Sequence, residues 1–147
     1  MTQDRKLAEI LLVEDNIGDV ELTKEAFREA KFRNNLHIVM DGDEALDFLY
    51  KRGSFETAVT PDIILLDLNL PGTDGREVLE QIKSDDSLKR IPTIILTSSS
   101  AERDIVDSYD LHANCYIIKP VSAAKFIDVV NQVEDFWIDI VCLPPTM

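Results

Sequence analysis

Acidic, hydroxyl and amine side chains stand where short apolar segments of the sequence end. They are Glu14 and Asp15 after EILLV, Asp67 after DIILL, Thr97 after TIIL and Lys119 after CYII. Clustered carboxylates without histidine or cysteine beside them favour a hard divalent cation, Mg²⁺ or Mn²⁺. A carboxylate next to such an ion can attack phosphorus and form an acyl phosphate, with an ammonium and a hydroxyl binding the phosphoryl oxygens. These residue types therefore predict metal-dependent phosphorylation of Asp67.

Five short apolar segments alternate with longer amphipathic stretches, and this order predicts the elements that position those residues. The segments are Glu9–Val13, Leu36–Met40, Asp62–Leu66, Thr93–Leu96 and Cys115–Ile118. They are β-rich and apolar on both faces, as strands of a buried parallel sheet are. We predict an α/β fold, a flavodoxin-like (βα)5 doubly wound parallel sheet with strand order 2-1-3-4-5. Ligands of such sheets bind beyond the carboxyl ends of the strands, where strands one and three adjoin.

Apolar residues at helical spacing predict one helix after each strand. In chain order, the predicted core positions are Val20, Leu22, Ala26, Phe27 and Ala30; Ala45, Leu46, Phe48 and Leu49; Val78, Leu79 and Ile82; Ile105, Val106 and Tyr109; and Phe126, Ile127, Val129, Val130 and Val133. The fifth helix is predicted from Val121 to Phe136. We expect Asp74 to cap the third helix and Ser122 to help open the fifth.

Length and composition predict a single domain over residues 1–147, with its core at about 8–135 and an apolar C-terminal extension at 136–147. There is no apolar run of bilayer length and no apolar segment typical of a signal peptide. Two cysteines are too few for a disulfide scaffold, so we expect a cytoplasmic protein. The formal net charge of −13 disfavours direct binding to DNA or to anionic membranes.

Residues 8 to 135 resemble the receiver domains of two-component response regulators. The resemblance rests on the acidic pair Glu14 and Asp15, on Asp67 within DLNLPGTDG, and on the spacing from Asp67 to Thr97 and Lys119. It implies that Asp67 accepts the phosphoryl group and that the acidic pair, Asp67 and the backbone carbonyl of Asn69 bind the metal. One departure is a threonine at position 73, where the family often has methionine.

The same resemblance implies a conformational switch. Thr97 would move toward the phosphoryl group, and Tyr116 would then turn inward from an exposed position. The surface formed by the fourth helix, fifth strand and fifth helix would change as a result. The family also has a cis peptide bond before the proline that corresponds to Pro120. From spacing alone, Tyr116 is equally well explained as a half-buried aromatic residue of a strand.

Nearly the whole chain, tail included, is similar to the small stand-alone receivers that serve cyanobacterial phytochromes. The similarity lies in the segments LLDLNLPGTDGREVLEQIKSDDSLKRIP, SYDLHANCYIIKP and FWIDIVCLP. It implies a sensor histidine kinase of the bacteriophytochrome type as partner. The apolar tail carries Phe136, Trp137, Ile140 and Leu143. Either the tail folds over its own domain, or it joins the fifth helix in a symmetric homodimer interface.

We therefore expect a phosphorylated signalling protein and not an enzyme that turns over a substrate. A phosphorelay intermediate, a phosphate sink and a scaffold that keeps the fold without phosphorylation remain alternatives. A haloacid-dehalogenase-type phosphatase needs a second acid two residues after its nucleophile, where this chain has Asn69. A flavodoxin-like FMN carrier needs a loop rich in serine, threonine and glycine after strand one, where this chain has Glu14, Asp15 and Asn16.

Overall fold

The computed structural model describes residues 7–30, 32–68, 70, 73–97, 115–118, 130–131 and 133–135, with the backbone alone at 97 and 115–118. The strands are β1 (Ala8–Val13), β2 (Asn34–Val39), β3 (Ile63–Asp67), β4 (Thr93–Thr97) and β5 (Cys115–Ile118). The helices are α1 (Ile17–Arg28), α2 (Gly42–Tyr50) and α3 (Gly75–Ser84), with a short 3-10 helix at Gly53–Phe55. Residues 130–131 and 133–135 are also helical.

The five strands form one parallel sheet in the order β2-β1-β3-β4-β5. This confirms the predicted doubly wound fold. Because the strands are parallel, their carboxyl ends lie along one edge of the sheet. Val13 at the end of β1 is in register with Val39 of β2 on one side and with Leu66 of β3 on the other. The residues that follow these positions must therefore lie close together.

Alternate residues of the central strands pack into two separate hydrophobic cores, one on each face of the sheet. On one face, Leu11 and Ile64 pack with apolar residues of α2 and α3. On the other face, Ile10 and Ile63 pack with Phe27 of α1 and with residues 130 and 133. Burial of each such side chain contributes about 1.5–3 kcal/mol. The predicted core positions of α2 and α3 are all buried, as are Val130 and Val133.

Strand β2 differs from its prediction because it lies at the edge of the sheet. It runs over Asn34–Val39, so Met40 lies outside it, and most of its side chains are partly exposed. The prediction of burial on both faces is therefore wrong for this strand. Among the described residues its only strand neighbour is β1, and His37 bonds the carboxylate of Glu9 across that pair at 2.8 Å. Polar pairing of this kind suits a strand that meets solvent.

Other predicted boundaries also shift. Strand β1 begins one residue early, at Ala8, and β3 and β4 each run one residue further than predicted, to Asp67 and Thr97. Helix α1 ends at Arg28, so Ala30 lies beyond it, and the backbone N–H of Ala30 bonds the carbonyl oxygen of Phe27 in a closing turn. Strand β3 begins at Ile63 and not at Asp62. The Asp62 carboxylate accepts the backbone N–H of Glu9 at 2.8 Å, which holds β1 beside the start of β3. The predicted fourth helix, Ser122 and most of the fifth helix lie outside the described residues.

Within the described residues, no helix has the length and hydropathy needed to cross a bilayer.

Candidate functional site

Two adjacent strands bring the predicted carboxylates together. The backbone N–H of Glu14 donates to the carbonyl oxygen of Val39 at 3.0 Å, which continues the sheet ladder one residue beyond β1. Asp67 is the last residue of β3 and is in register with Leu96 of β4. Because β1 and β3 are parallel neighbours, Glu14 and Asp67 project from the same edge. Asp15 follows directly, at the entry to α1.

Glu14, Asp15 and Asp67 each contribute one oxygen to a group whose members lie within 4.8 Å of one another. Glu14 is 1% exposed and Asp67 is 2% exposed, whereas Asp15 faces solvent. The Glu14 carboxylate also accepts the backbone N–H of Asn16 at 3.1 Å, which fixes its orientation. Three like charges at this spacing repel by on the order of 3 kcal/mol per pair at an effective dielectric of about 20.

The donor set fits a hard divalent cation. Opposite oxygens of an octahedral Mg²⁺ site with bonds of about 2.1 Å are about 4.2 Å apart. At least two of the three pairs must be adjacent ligands, which are only about 3.0 Å apart, so the carboxylates would have to draw together from their present limit of 4.8 Å to share one ion. All three donors are carboxylates, the ligands that Mg²⁺ and Mn²⁺ prefer. Such an ion would offset the repulsion among them.

Both flanking helices begin at the site with a side-chain cap. Asn16 caps α1 by accepting the backbone N–H of Asp19 at 2.9 Å, and Asp74 caps α3 by accepting that of Arg76 at 2.7 Å. The cap by Asp74 confirms its prediction. The Asn16 cap was not predicted, although asparagine three residues before an acidic residue is a recognisable sign of a helix start. The N-terminus of α1 thus lies beside the carboxylates, where its dipole favours an anion.

Residues 10–131 match the family described as the response regulator receiver domain. The chain belongs to this family. The receiver is 44% identical over 135 residues to "Response regulator Rcp1" of Synechocystis sp., a match that covers 92% of each chain. A structure of the Mn²⁺-bound form of Rcp1 matches 94% of this receiver and 99% of that chain, with a TM-score of 0.81 and 43% identity.

A second similar structure is that of the phosphorylated cyanobacterial phytochrome response regulator RcpA. The match covers 95% of this receiver and 100% of the RcpA chain, with a TM-score of 0.84 and 46% identity. The chemotaxis protein CheY-3 of Vibrio cholerae is a more distant relative, 31% identical over 128 residues. The receiver is thus similar to cyanobacterial phytochrome response regulators over most of its length.

The remaining predicted residues of the receiver are only partly described. Thr97 ends β4 one residue beyond the partner of Asp67, and its backbone is in register with Ile118 of β5. The backbone of Tyr116 is in register with Ile95. Asn69, Lys119, Pro120 and the tail residues Phe136, Trp137, Ile140 and Leu143 lie outside the described residues. Their predicted roles, including the cis peptide bond before Pro120, stay predictions.

The pKa of Asp74 is lowered in the folded receiver. Burial alone would raise this pKa, but hydrogen bonds from the Arg76 side chain and backbone, with the charge of that guanidinium, outweigh burial and hold it below its ordinary value of 3.8. Because the folded pKa lies below the unfolded one, the ionised cap stabilises the receiver above about pH 4. This contribution is lost as the pH falls through the lower folded pKa.

We expect Asp74→Asn to test this linkage, because asparagine keeps a capping oxygen and removes only the charge. At pH 5–7 the wild type should be more stable by a few tenths of a kcal/mol, a small effect because the Asp74 side chain is 39% exposed and solvent screens it. The difference should shrink as the pH falls below about 3.8. Urea unfolding of both proteins from pH 7 to pH 3 measures it, and other carboxylates cancel in the difference. A constant difference across this range would exclude the linkage.

Proposed function

We propose that this receiver accepts a phosphoryl group on Asp67 in a reaction that requires Mg²⁺ or Mn²⁺. The observation that carries the proposal is the approach of the Glu14, Asp15 and Asp67 carboxylates to within 4.8 Å at the edge of the sheet where receivers bind ligands. The Mn²⁺-bound and phosphorylated structures of its relatives support the metal and the modification, respectively.

In the proposed reaction, an oxygen of Asp67 forms a bond to phosphorus while the bond from phosphorus to the donor breaks. With a phosphohistidine donor, the leaving imidazole nitrogen takes the electron pair and is then protonated. Glu14, Asp15, Asp67 and the carbonyl of Asn69 would hold the ion. When bound, the ion neutralises charge that develops on the phosphoryl oxygens.

Lys119 and Thr97 are proposed to bind the phosphoryl oxygens from the β4 and β5 side of the site. The position of Thr97 at the end of β4, beside Leu96, supports a role within reach of Asp67. Its movement would be coupled to Tyr116 and would change the surface formed by the fourth helix, β5 and the fifth helix. The receiver assists its own phosphorylation and dephosphorylation and is not proposed to turn over other substrates.

The proposed donor is a sensor histidine kinase of the phytochrome type, and the proposed location is the cytoplasm. The similarity to RcpA, described as a cyanobacterial phytochrome response regulator, supports this choice of kinase. We also propose a homodimer through the fourth helix, β5, the fifth helix and the apolar tail. The net charge of −13 argues against direct contact with DNA.

The test is intact-mass spectrometry of the wild-type chain after incubation with acetyl phosphate. We expect a gain of one phosphoryl group with Mg²⁺ or Mn²⁺ and no gain when a chelator removes the metal. An acyl phosphate is identified by raising the pH, because it hydrolyses quickly in alkali and the added mass is then lost. The absence of any gain with either metal would contradict the proposal and favour a scaffold that keeps the fold without the chemistry.

A further inference from the structure

The segment that joins β3 to α3 links the proposed phosphate acceptor to the proposed carbonyl ligand. It starts from Asp67, and the backbone N–H of Leu68 donates to the carbonyl oxygen of Leu96 at 3.3 Å. Leu68 is buried, so this first end of the segment is fixed by the sheet. The second end, at Thr73 and Asp74, leads into α3.

The second end is in direct contact with the N-terminus of α2. A Cβ atom added at Gly42 would lie 2.0 Å from the carbonyl oxygen of Thr73 and 2.8 Å from its carbonyl carbon. The backbones of the two elements therefore touch, and only glycine allows this approach. In addition, the Thr73 hydroxyl donates a hydrogen bond to the carboxylate of Asp43. Thr73 is the position where the sequence departs from the common family pattern.

The first turn of α2 is a rigid support for this contact. The Asp41 carboxylate caps the helix by accepting the backbone N–H of Glu44 at 2.7 Å. The Glu44 carboxylate in turn accepts the backbone N–H of Met40 at 2.8 Å. The two bonds resemble a capping box, and they tie the first turn of α2 to its cap and to the residue before the cap. Asp43 is thus presented to Thr73 from a turn that is itself restrained.

We propose that the hydrogen bond between Thr73 and Asp43 is a positioning contact for the metal site. It holds the residues just before α3 against α2. Because α3 contacts the backbone of Asp67 and Leu68 at Gly75, this bond helps to keep the carboxylate of Asp67 in place to bind the ion. Thr73 and Asp43 act through the segment and do not touch the ion. This inference rests on the proposed function, since it assumes that the carboxylates bind Mg²⁺.

The first experiment is calorimetric titration of Mg²⁺ into full-length wild type, Thr73→Val and Thr73→Ser. Valine has the shape of threonine without the hydroxyl, and we expect about three- to tenfold weaker Mg²⁺ binding, the size of one lost hydrogen bond. Serine keeps the hydroxyl and should restore wild-type affinity. Thr57→Val is the matched control at an exposed threonine in the turn after the 3-10 helix, and it should bind as the wild type does.

Variants of Asp43 separate the hydrogen bond from the negative charge. Asp43→Asn removes the charge but keeps an acceptor, so it should bind Mg²⁺ nearly as the wild type does. Asp43→Ala should match Thr73→Val, and the double variant should be no weaker than either single one, because both remove the same contact. Equal weakening by Asp43→Asn and Asp43→Ala would overturn the inference, because charge alone would then explain the effect.

A kinetic measurement distinguishes positioning from simple loss of stability. With acetyl phosphate, Thr73→Val should need about three- to tenfold more Mg²⁺ for half-maximal phosphorylation and should reach the wild-type rate at saturating Mg²⁺. Unaltered Mg²⁺ affinity in Thr73→Val would overturn the inference and leave the proposed function standing. Failure of the wild type to bind Mg²⁺ would overturn both.

Discussion

Replacing Asp67 with asparagine is expected to abolish the uptake of a phosphoryl group from acetyl phosphate while leaving the fold intact. Asparagine has nearly the shape of aspartate, and the residue is 2% exposed at the end of β3, where its backbone remains in the sheet. An amide, however, cannot form the acyl phosphate. Intact-mass spectrometry with Mg²⁺ should therefore show one added group on the wild type and none on the variant.

Relative to the wild type, Asp67→Asn should have a higher Tm without metal and a lower Tm with saturating Mg²⁺. In metal-free buffer it removes one of three close negative charges, so the Tm should rise. With Mg²⁺ at 100 times its Kd, the wild type should gain about 2.7 kcal/mol of stability by mass action. The variant loses a ligand and should gain much less. Thermal unfolding followed by circular dichroism, with and without Mg²⁺, measures both effects.

Asp62→Asn is the matched control for this pair of results. Asp62 lies just before the opposite end of the same strand, where its carboxylate accepts the backbone N–H of Glu9 at 2.8 Å, and asparagine can still accept it. This variant should keep both the phosphoryl uptake and the response to Mg²⁺. Uptake of one phosphoryl group by Asp67→Asn would mean that another carboxylate is the acceptor, and peptide mapping would then locate it.

The overall fold and the meeting of the three carboxylates follow from the sequence for one physical reason. Alternating strands and helices force a parallel sheet, and a parallel sheet places the residues after each strand at one edge. Glu14 and Asp67 needed no further information to be placed together. The partial exposure of β2 could not be predicted in the same way, because its apolar residues do not show whether helices cover both faces of the strand. His37 is only half-buried there and bonds Glu9.

The contacts that hold the β3–α3 segment could not be predicted in this way. Thr73 and Asp43 are 30 residues apart, and their hydrogen bond depends on how closely α2 approaches the segment. Each of Gly42 and Gly75 follows an aspartate, and an Asp-Gly pair in a sequence predicts only a turn or the start of a helix. The need for glycine at both positions comes from backbone atoms of another segment, which only the folded structure brings near.

Replacing Gly75 with alanine is expected to lower the free energy of unfolding by about 2 kcal/mol. The new Cβ would lie 2.6 Å from the carbonyl oxygen of Asp67 and 2.7 Å from the Cα of Leu68. Both are backbone atoms at the buried end of β3, so no side-chain rotation can relieve the overlap. Alanine favours a helix over glycine by up to about 1 kcal/mol, but this gain is smaller than the cost of displacing α3.

Gly18→Ala is the matched control, because Gly18 also lies in the first turn of a helix. Its nearest neighbour would be a side-chain oxygen of Asn16 at 3.2 Å, which can move by a few tenths of an ångström. Helix propensity should therefore prevail, and urea unfolding should show a stability equal to or above that of the wild type. If Gly75→Ala were as stable as Gly18→Ala, the close approach of α3 to Asp67 would have no energetic weight.

If Gly75→Ala lowers the free energy of unfolding and Gly18→Ala raises it, the cost of the contact between α3 and Asp67 is distinguished from the effect of helix propensity. Gly75→Ala should then also bind Mg²⁺ more weakly, because the new Cβ would press on the carbonyl oxygen of Asp67 and on the Cα of Leu68 and so shift the backbone that carries the acceptor. Calorimetric titration of Mg²⁺ into Gly75→Ala, at a temperature well below the Tm of the variant, would measure this affinity. If Gly75→Ala were destabilised but bound Mg²⁺ as the wild type does, α3 would have moved and β3 would not. The sheet alone would then hold the carboxylates in place.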